Sequence, residues 1–532
     1  MKRGMGLFLS WVLVAGAHAA EKSKLSQPLF ESGLKLYSQQ CVACHGARGE
    51  GDGSAAYLLN PKPRDFSRGT FRLVSTEPGK PTDQDLFETI SRGMLGSSMP
   101  PWEQLSEKER WSLVYAVRYF SGLTQAIKSG KISDKEALKS KWEVAKEIIE
   151  KESAVGNAVS VGSEPVVTPE HLAKGKELYQ TACASCHGAD GKGNVPQNFK
   201  DEAGYPLAAR DFTQGLFKGG SAPRDVAIRL KAGIPGSPMP SYSAAFNDEQ
   251  IWALAHYVQT FSPSKNEFDP RQKKTLIFVK KVTQIPTEPT APAWGKAEKT
   301  TVALMPLWWH SPRITHLNIQ ALHDGKSISF KLQWRDETEN NSQVKPQSFS
   351  DAVSIQFSKK ENPPFFAMGD PKGEVNLWYW KAATQFDQKS FRDVKEAYPN
   401  KSEEPMYLPF KKGGKEGEEA ALEPEDPKRI TGLAVGNPLS NPNPKTAVQD
   451  LNAKGFGTLA AQKLIDQNVQ GKGEWKNGTW EVVFTRKISS TAGDIVFAPG
   501  REIPTAFAVW DGEAKERNGQ KSVTIWHALK LE

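Results

Sequence analysis

The four cysteines of this 532-residue chain lie in two short motifs, and each motif is Cys-x-x-Cys followed directly by histidine. The two sets are Cys41, Cys44 and His45, and Cys183, Cys186 and His187. From one short helix, two thiols at this spacing can add to the vinyl groups of a haem, with the histidine beneath the iron as a ligand. A zinc site would need further Cys or His ligands, and a dithiol redox pair would not need the histidine. The motifs therefore predict two covalently attached c-type haems.

A methionine that precedes proline follows each motif in a glycine-containing segment, as Met99 and as Met239. Methionine as the sixth iron ligand raises the reduction potential relative to a second histidine, and it fills the coordination sphere. Met94 is the alternative in the first half, but Ile234 occupies the corresponding position in the second half. We therefore expect Met99 and Met239 as sixth ligands, which suits electron transfer rather than ligand binding.

These ligands belong to an internal duplication. In each copy a Leu-Tyr pair precedes the haem motif, an Arg-Asp-Phe segment follows it, and a helix with one apolar face closes the copy. The matching residues are Tyr37 and Tyr179, and Arg64 and Arg210. Two interpretations of these residues stay open: contact with haem edges and propionates, or ordinary packing and surface charge.

Both copies resemble the class I cytochrome c fold in helix order, motif placement and Met-Pro loop. The resemblance implies two all-α domains, over residues 27–122 and 168–264. Between them, residues 123–167 predict a charged helix that ends near Glu152 and then a linker of small residues with little to pack.

From residue 273 to 532 the pattern changes to short segments in which apolar and polar residues alternate. Examples are Ile328, Phe330, Leu332 and Trp334, and Trp480, Val482 and Phe484. Such alternation predicts strands with one buried face, and several of them with turn signals between predict an all-β antiparallel sandwich. A long loop is expected over residues 411–454, which are rich in Gly, Pro, Asn and charge.

Four motifs in this region occur in a distinctive order. They are Pro363–Asp370 (PPFFAMGD), Val375–Lys381 (VNLWYWK), Phe507–Gly512 (FAVWDG) and Asn518–Val523 (NGQKSV). In these motifs the region resembles the haem b-binding domain of the ethylbenzene dehydrogenase γ-subunit family. That family includes γ-subunits of dimethyl sulfide dehydrogenase, chlorate and selenate reductases, and related nitrite oxidoreductase subunits. The resemblance implies one non-covalent haem b held between Met368 and Lys521.

Lys521 has the same strand parity as Val523 and Ile525, so its side chain is expected to point toward the apolar face. Burial is costly for a charged lysine and favours the neutral amine that iron ligation needs. The alternative is a lysine at the start of a strand that reaches past the rim into water.

Four histidines are rival ligands in this region: His310, His316, His323 and His527. His323 precedes the turn signal Asp324-Gly325 and is expected to be exposed. His527 shares the inward face of the last strand and is compatible with a core histidine.

Residues 1–20 have the pattern of a secretory signal, with a basic start, an apolar core and the small-residue segment Ala17-His18-Ala19. The pattern predicts a periplasmic protein, and an uncleaved anchor is the alternative. No later stretch is apolar enough to predict a membrane span. The formal charge of +8 favours either an acidic redox partner or solubility alone. Basic residues are scattered among acidic ones, so nucleic-acid binding is not expected.

Together these features predict a multihaem electron-transfer subunit or redox partner of a molybdopterin oxidoreductase. Haem b would exchange electrons with an iron–sulfur subunit, and the c haems with another cytochrome. No catalytic residue is predicted. The resembling γ-subunits generally lack cytochrome c domains, so this chain departs from their pattern. Two alternatives stay open: a haem enzyme with an open iron position, and a carbohydrate- or protein-binding β module that uses Trp378 and Trp380.

Overall fold

The computed structural model covers most of the chain outside the N-terminal segment. It describes residues 23–133, 141–153, 155–196, 198–262, 271–390, 392, 394–400, 432, 435, 437, 440–441, 444–489 and 493–532. The predicted signal segment 1–20 lies outside the described residues, as do residues 411–431 of the expected long loop. Within the described ranges, no helix combines the length and the apolar character needed to cross a bilayer.

In the first helical domain, two of the longer helices begin at residues that form capping boxes. Its helices are α1 (Gln27–Gln40), α2 (Val42–His45), α3 (Asp83–Arg92) and α4 (Glu107–Lys128). Thr82 and Asp85 form a capping box at the start of α3, and Ser106 and Glu109 form one at the start of α4. The apolar face of α4 then packs against α1 and carries the fully buried Trp111.

The segment that connects the two helical domains makes contacts with both of them. Helix α5 (Trp142–Glu147) continues as a π-helical turn over Ile148–Glu152, and residues 134–140 lie outside the described residues. Strand β1 (Thr76–Glu77) of the first domain pairs with β2 (Asn157–Ala158) of the linker. Val161 is buried in the second domain, where its carbonyl accepts a hydrogen bond from the Trp252 indole at 2.6 Å. These contacts attach the linker to both domains, although most residues from 155 to 167 are exposed, as expected of a segment with little to pack.

The second helical domain repeats the design of the first. Its helices are α6 (Pro169–Ala182), α7 (Ala184–His187), α8 (Pro223–Ala232) and α9 (Asp248–Gln259). Helix α6 begins where its sequence predicts, since the Thr168 hydroxyl caps the backbone of His171. A glycine lets the first and last helices of each domain approach closely. A Cβ on Gly33 would lie 2.0 Å from the Ser112 carbonyl oxygen, and one on Gly175 would lie 2.2 Å from that of Ala253.

In the residues that the structure describes, the C-terminal region is a large β-sheet with two short α-helices after its seventh strand. The first strands are β3 (Leu276–Lys281), β4 (Thr300–Ala303), β5 (Met305–Pro306), β6 (His316–His323), β7 (Ser327–Arg335), β8 (Ala352–Ser358) and β9 (Val375–Lys381). Helices α10 (Ala382–Asp387) and α11 (Val394–Ala397) follow. The remaining strands are β10 (Val448–Ala453), β11 (Ala460–Ala461), β12 (Gln470–Trp475), β13 (Thr479–Lys487), β14 (Glu502–Trp510), β15 (Ser522–Val523) and β16 (His527–Leu531).

These strands form one curled sheet in the order β11-β10-β9-β8-β14-β16-β3-β6-β7-β13-β12. Strand β4 pairs with β6, and β15 joins β14 to β5. Strands far apart in this order pack face to face in one core. The Phe330 ring on β7 lies 5.9 Å from both Phe357 on β8 and Trp378 on β9, measured between ring centroids.

The structure corrects two expectations for this region. Pairing is parallel between β16 and β3 and between β3 and β6, so the expected purely antiparallel arrangement is wrong at these strands. The alternation of apolar and polar residues shows which face of a strand is buried. It does not show whether the strand runs parallel or antiparallel to its neighbours, which explains the error. Strand β10 lies inside the expected loop 411–454, where its core residues Val448 and Leu451 stand among polar neighbours.

Candidate haem sites

The first Cys-x-x-Cys-His motif forms one wall of a mainly apolar cleft. Cys41 ends α1, and α2 then turns Cys44 and His45 toward the same cleft. The His45 Nδ1 lies 3.1 Å from the Arg64 carbonyl oxygen, which leaves the other ring nitrogen for the cleft. Burial lowers the pKa of His45, so the ring is neutral, as a metal ligand must be.

The second motif has the same geometry and lines a cleft of its own. The His187 Nδ1 lies 3.3 Å from the Arg210 carbonyl oxygen. The motif histidine stacks on a phenylalanine in both domains, with centroids 4.6 Å apart for His45–Phe66 and 4.5 Å for His187–Phe212.

The thiols of these motifs differ from those of a reactive redox pair, in which the thiol pKa is lowered. Burial raises the pKa of Cys44 to about 12 and that of Cys183 to about 11. Within the described part of the chain, the one cluster of three or more His, Cys, Asp or Glu ligand atoms consists of Asp336, Asp351 and Asp511. Neither cysteine motif therefore has the additional ligands that a tetrahedral zinc site requires.

Met99 lines the first cleft and Met239 lines the second. Met94 also lines the first cleft, so position alone does not separate it from Met99. The loops are equivalent: Met94 N donates to the Met99 carbonyl at 3.0 Å, and Ile234 N donates to that of Met239 at 3.1 Å. The equivalence of Met94 and Ile234 supports the comparison made from the sequence.

The paired tyrosines and arginines have distinct roles. Tyr37 and Tyr179 are buried, and each hydroxyl donates to the carbonyl of the glycine after its motif, at 2.8 and 2.7 Å. Arg64 and Arg210 line the first and second clefts respectively. Burial lowers the pKa of Arg210 to about 10, and its Nη2 donates to the Leu95 carbonyl in the other domain at 3.0 Å.

Met368 and Lys521 are brought together although 153 residues separate them, and Lys521 Nζ lies 4.0 Å from Met368 Sδ. Lys521 Nζ also lies 4.8 Å from the centroid of the Trp510 ring. Burial lowers the pKa of Lys521 to about 8. Trp510 in turn packs on Tyr379, with ring centroids 4.9 Å apart.

The backbone of Met368 has a left-handed conformation, with φ of 69°. Residues other than glycine seldom adopt this conformation, and where they do it often serves a functional site. The surrounding structure holds it in place. Met368 N donates to Gln356 Oε1 at 3.2 Å, and the Met368 carbonyl accepts from Gly455 N at 2.8 Å.

The four rival histidines have other environments. His310 lies 3.0 Å from Glu516 Oε1, and His316 stands next to Thr315, whose Oγ1 is 3.0 Å from its Nδ1. His527 is buried, and its Nδ1 accepts from Thr275 N at 3.2 Å. The expectation that His323 is exposed is wrong. It is 3 % exposed, because β6 extends through it to pair with β3 and the turn begins only afterwards.

The sequence did not identify several residues that line the clefts. Arg72 and Lys218 line both clefts, and Leu307, Phe365 and Phe366 of the C-terminal region line the first. The phenylalanines lie in the PPFFAMGD motif, which marks them in retrospect. Trp378 and Trp380, which a sugar-binding module would need at its surface, are fully buried.

The comparisons divide the chain in the same way. Residues 28–115 match the family of cbb3-type cytochrome c oxidase subunit III, residues 172–262 match cytochrome c, and residues 291–522 match ethylbenzene dehydrogenase.

Three relatives are similar over part of their length. A chain named respiratory nitrate reductase heme subunit ORF7 from Haloferax mediterranei is 24 % identical, over 46 % of this chain and 67 % of the relative. The chlorate reductase γ-subunit of Ideonella dechloratans is 26 % identical, over 46 % and 79 %. The dimethylsulfide dehydrogenase γ-subunit of Rhodovulum sulfidophilum is 24 % identical, over 39 % and 57 %.

Among solved structures, a chain of the Kuenenia stuttgartiensis reducing HAO-like protein complex is 34 % identical. It covers 44 % of this chain and 96 % of its own, with a TM-score of 0.37. The family matches and the γ-subunit relatives indicate the same class of protein. This chain joins two cytochrome c-type domains to a domain of the ethylbenzene dehydrogenase family, and it is a haem-carrying electron-transfer protein.

Proposed function

We propose that this chain carries three haems and serves as an electron-transfer subunit or redox partner of a molybdopterin oxidoreductase. The observation that carries the proposal is the 4.0 Å approach of Met368 Sδ to Lys521 Nζ. A thioether sulfur and a neutral amine nitrogen can both ligate iron, so Met368 and Lys521 would together hold the haem b iron.

The proposed iron ligands fall into three pairs: His45 with Met99, His187 with Met239, and Met368 with Lys521. When bound, the haems supply one-electron transfer. The chain holds the histidine rings by their Nδ1 contacts and presents uncharged ligands to the iron. It also encloses each site with apolar side chains. With both residues of a pair bound to its iron, no position would remain for a substrate, so these pairs would support outer-sphere electron transfer rather than substrate binding at iron.

The partner follows from the relatives whose names identify them as γ-subunits of chlorate reductase and dimethylsulfide dehydrogenase. We propose an iron–sulfur subunit of a molybdopterin enzyme next to the haem b site and another cytochrome next to the c-type sites. We further propose that the protein works in the periplasm after removal of residues 1–20.

The first test is a pyridine haemochrome spectrum of the purified protein combined with acid–acetone extraction. Two covalent c haems and one extractable b haem per chain are expected. Two c haems and no b haem, after expression with ample haem, would contradict the haem b site and favour a dihaem cytochrome with a β binding module. Rapid carbon monoxide binding by the reduced protein would instead favour an enzyme with an open iron position. Affinity purification that repeatedly yields the chain alone would rule out the stable complex.

A further inference from the structure

The first haem cleft is built by all three parts of the chain. Lys218 of the second domain lines it, as do Leu307, Phe365 and Phe366 of the C-terminal region. The second cleft is lined by its own domain together with Arg72 of the first domain. The first cleft therefore adjoins both of the other proposed sites.

Two related basic residues stand where the clefts of the helical domains meet. Burial lowers the pKa of Lys218 to about 7, and a carboxylate bound beside it would favour its charged form. Arg72 follows Phe71 in the first copy, and Lys218 follows Phe217 at the same position in the second. Both basic residues line both clefts. Arg72 Nη2 donates to Asp201 at 2.7 Å, whereas Lys218 makes no hydrogen bond or ion pair with any described residue. A haem has two propionate carboxylates, which cations at this position can bind.

On the side of the first cleft that faces the C-terminal region, Leu307 connects the residue before Met99 with Lys521, and both Met99 and Lys521 are proposed iron ligands. Ser98, which precedes Met99, donates through Oγ to the Leu307 carbonyl at 2.9 Å. Leu307 N donates to the Lys521 carbonyl at 2.9 Å. The second copy has Pro238 in place of Ser98 and so lacks this hydroxyl.

A second connection on that side is aromatic. Phe365 and Phe366 line the first cleft, with ring centroids 4.6 Å apart. Gln356 ties this pair to Met368, because its Nε2 donates to the Phe366 carbonyl at 2.7 Å and its Oε1 accepts from Met368 N. The haem b site and the first cleft thus share one wall.

We infer that the first c haem is the middle member of a linear chain, between haem b at the Leu307 contact and the second c haem at the Arg72–Lys218 junction. This inference rests on the proposed function. One electron passes at a time, so one iron is oxidised as its neighbour is reduced, and no bond forms or breaks. The donor or acceptor at each end is the redox partner named above.

The order can be tested by placing an electron on the second c haem. All four natural cysteines lie in haem motifs, so a Lys192→Cys substitution provides a single reactive thiol near the second motif for a photoreducing ruthenium label. Lys192 is exposed, with 56 % of its side chain accessible. After a flash, we expect the first c haem to be reduced before haem b.

Met99→His should lower the potential of the first c haem and slow reduction of haem b at least tenfold. Lys200→Gln, at a residue that lines neither cleft, should leave the rate unchanged. An undiminished rate in Met99→His with all haems bound would overturn the order. Failure of the proposed function is distinguishable, because haem b would then be missing from the extract of the unmodified protein.

The junction has a separate test by redox titration. Lys218→Gln should lower the potentials of both c haems, because a cation near an iron favours its reduced form, and haem b should not shift. Lys200→Gln is the matched control at a lysine that lines neither cleft. A shift confined to the second c haem would contradict a shared junction.

Discussion

At the scale of single residues, the choice between Met99 and Met94 is the most direct question, because both line the first cleft. We expect Met99→Ala to open the sixth position of the first c haem, so that the reduced protein binds carbon monoxide and its potential falls. Met94→Ala should change neither property. Carbon monoxide difference spectra would decide, and carbon monoxide binding by the Met94 variant alone would exchange the two assignments.

Lys521 offers a second prediction at this scale. Lys521→Ala should abolish binding of the extractable haem, to less than a tenth of the natural content, while covalent haem is unchanged. The reason is that the Lys521 side chain is directed toward Met368, with Nζ 4.0 Å from Sδ and 4.8 Å from the centroid of the Trp510 ring. Lys530→Ala, on the last strand, is the matched control. Full haem b content in the Lys521 variant would show that another residue holds the iron.

Residue types and spacing predicted the cytochrome motifs and their methionines because covalent attachment demands a fixed local pattern. The Met368–Lys521 approach could be anticipated only through family resemblance, since no local spacing links residues so far apart. His323 was misjudged because a turn signal after a residue does not show whether the strand before it is covered by another strand.

At the scale of secondary structure elements, the crossing of α1 and α4 depends on Gly33. An alanine there would place a Cβ 2.0 Å from the Ser112 carbonyl oxygen, which belongs to backbone and cannot rotate away. We expect Gly33→Ala to lower the free energy of unfolding of the first domain by about 1–3 kcal/mol. Gly295→Ala, with no atom within 4 Å of the added Cβ, should be nearly neutral. Thermal unfolding followed by circular dichroism and Soret absorption would measure both.

The β-sheet contains buried carboxyl groups that make its stability depend on pH. Burial raises the pKa of Asp336 to about 7 and that of Asp351 to about 6. A folded-state pKa above the unfolded value means that the native state binds more protons, so stability falls as pH rises from about 4 through 7. We expect the free energy of unfolding to fall by an amount on the order of 2 kcal/mol between pH 5 and 8. Asp336→Asn should flatten this dependence in denaturant titrations, and an unchanged slope would contradict it.

Alternation predicted most strands of this sheet, because a strand with one covered face has a period of two. It could not predict that β3 pairs in parallel with two neighbours, since direction depends on connections rather than on parity. Alternation did not predict strand β10, because its apolar residues are few and stand next to a polar segment.

At the scale of the whole molecule, the helical domains interlock through charged residues. Arg72 pairs with Asp201, and Arg64 pairs with Glu202, whose backbone N–H donates to the Gly236 carbonyl at 3.2 Å. Arg210 makes the reciprocal contact with Leu95 in the first domain. The second domain thus contacts the methionine loop of the first directly, and the first domain contacts Glu202, which holds the methionine loop of the second. The sequence could not show these contacts, because they involve single charged residues that follow no periodicity.

This interlock should fix the relative position of the two c-type sites. The Arg72–Asp201 pair is largely buried, with side-chain exposures of 11 % and 5 %, so its loss leaves an uncompensated cation. We expect Asp201→Asn combined with Glu202→Gln to separate the two domains without loss of haem. Small-angle scattering should then show a larger maximum dimension, and electron transfer between the c haems should slow. Glu147→Gln, which removes an exposed pair with Lys151, should change neither quantity. If the double variant keeps both the dimension and the rate, apolar contacts rather than these charges hold the two domains together.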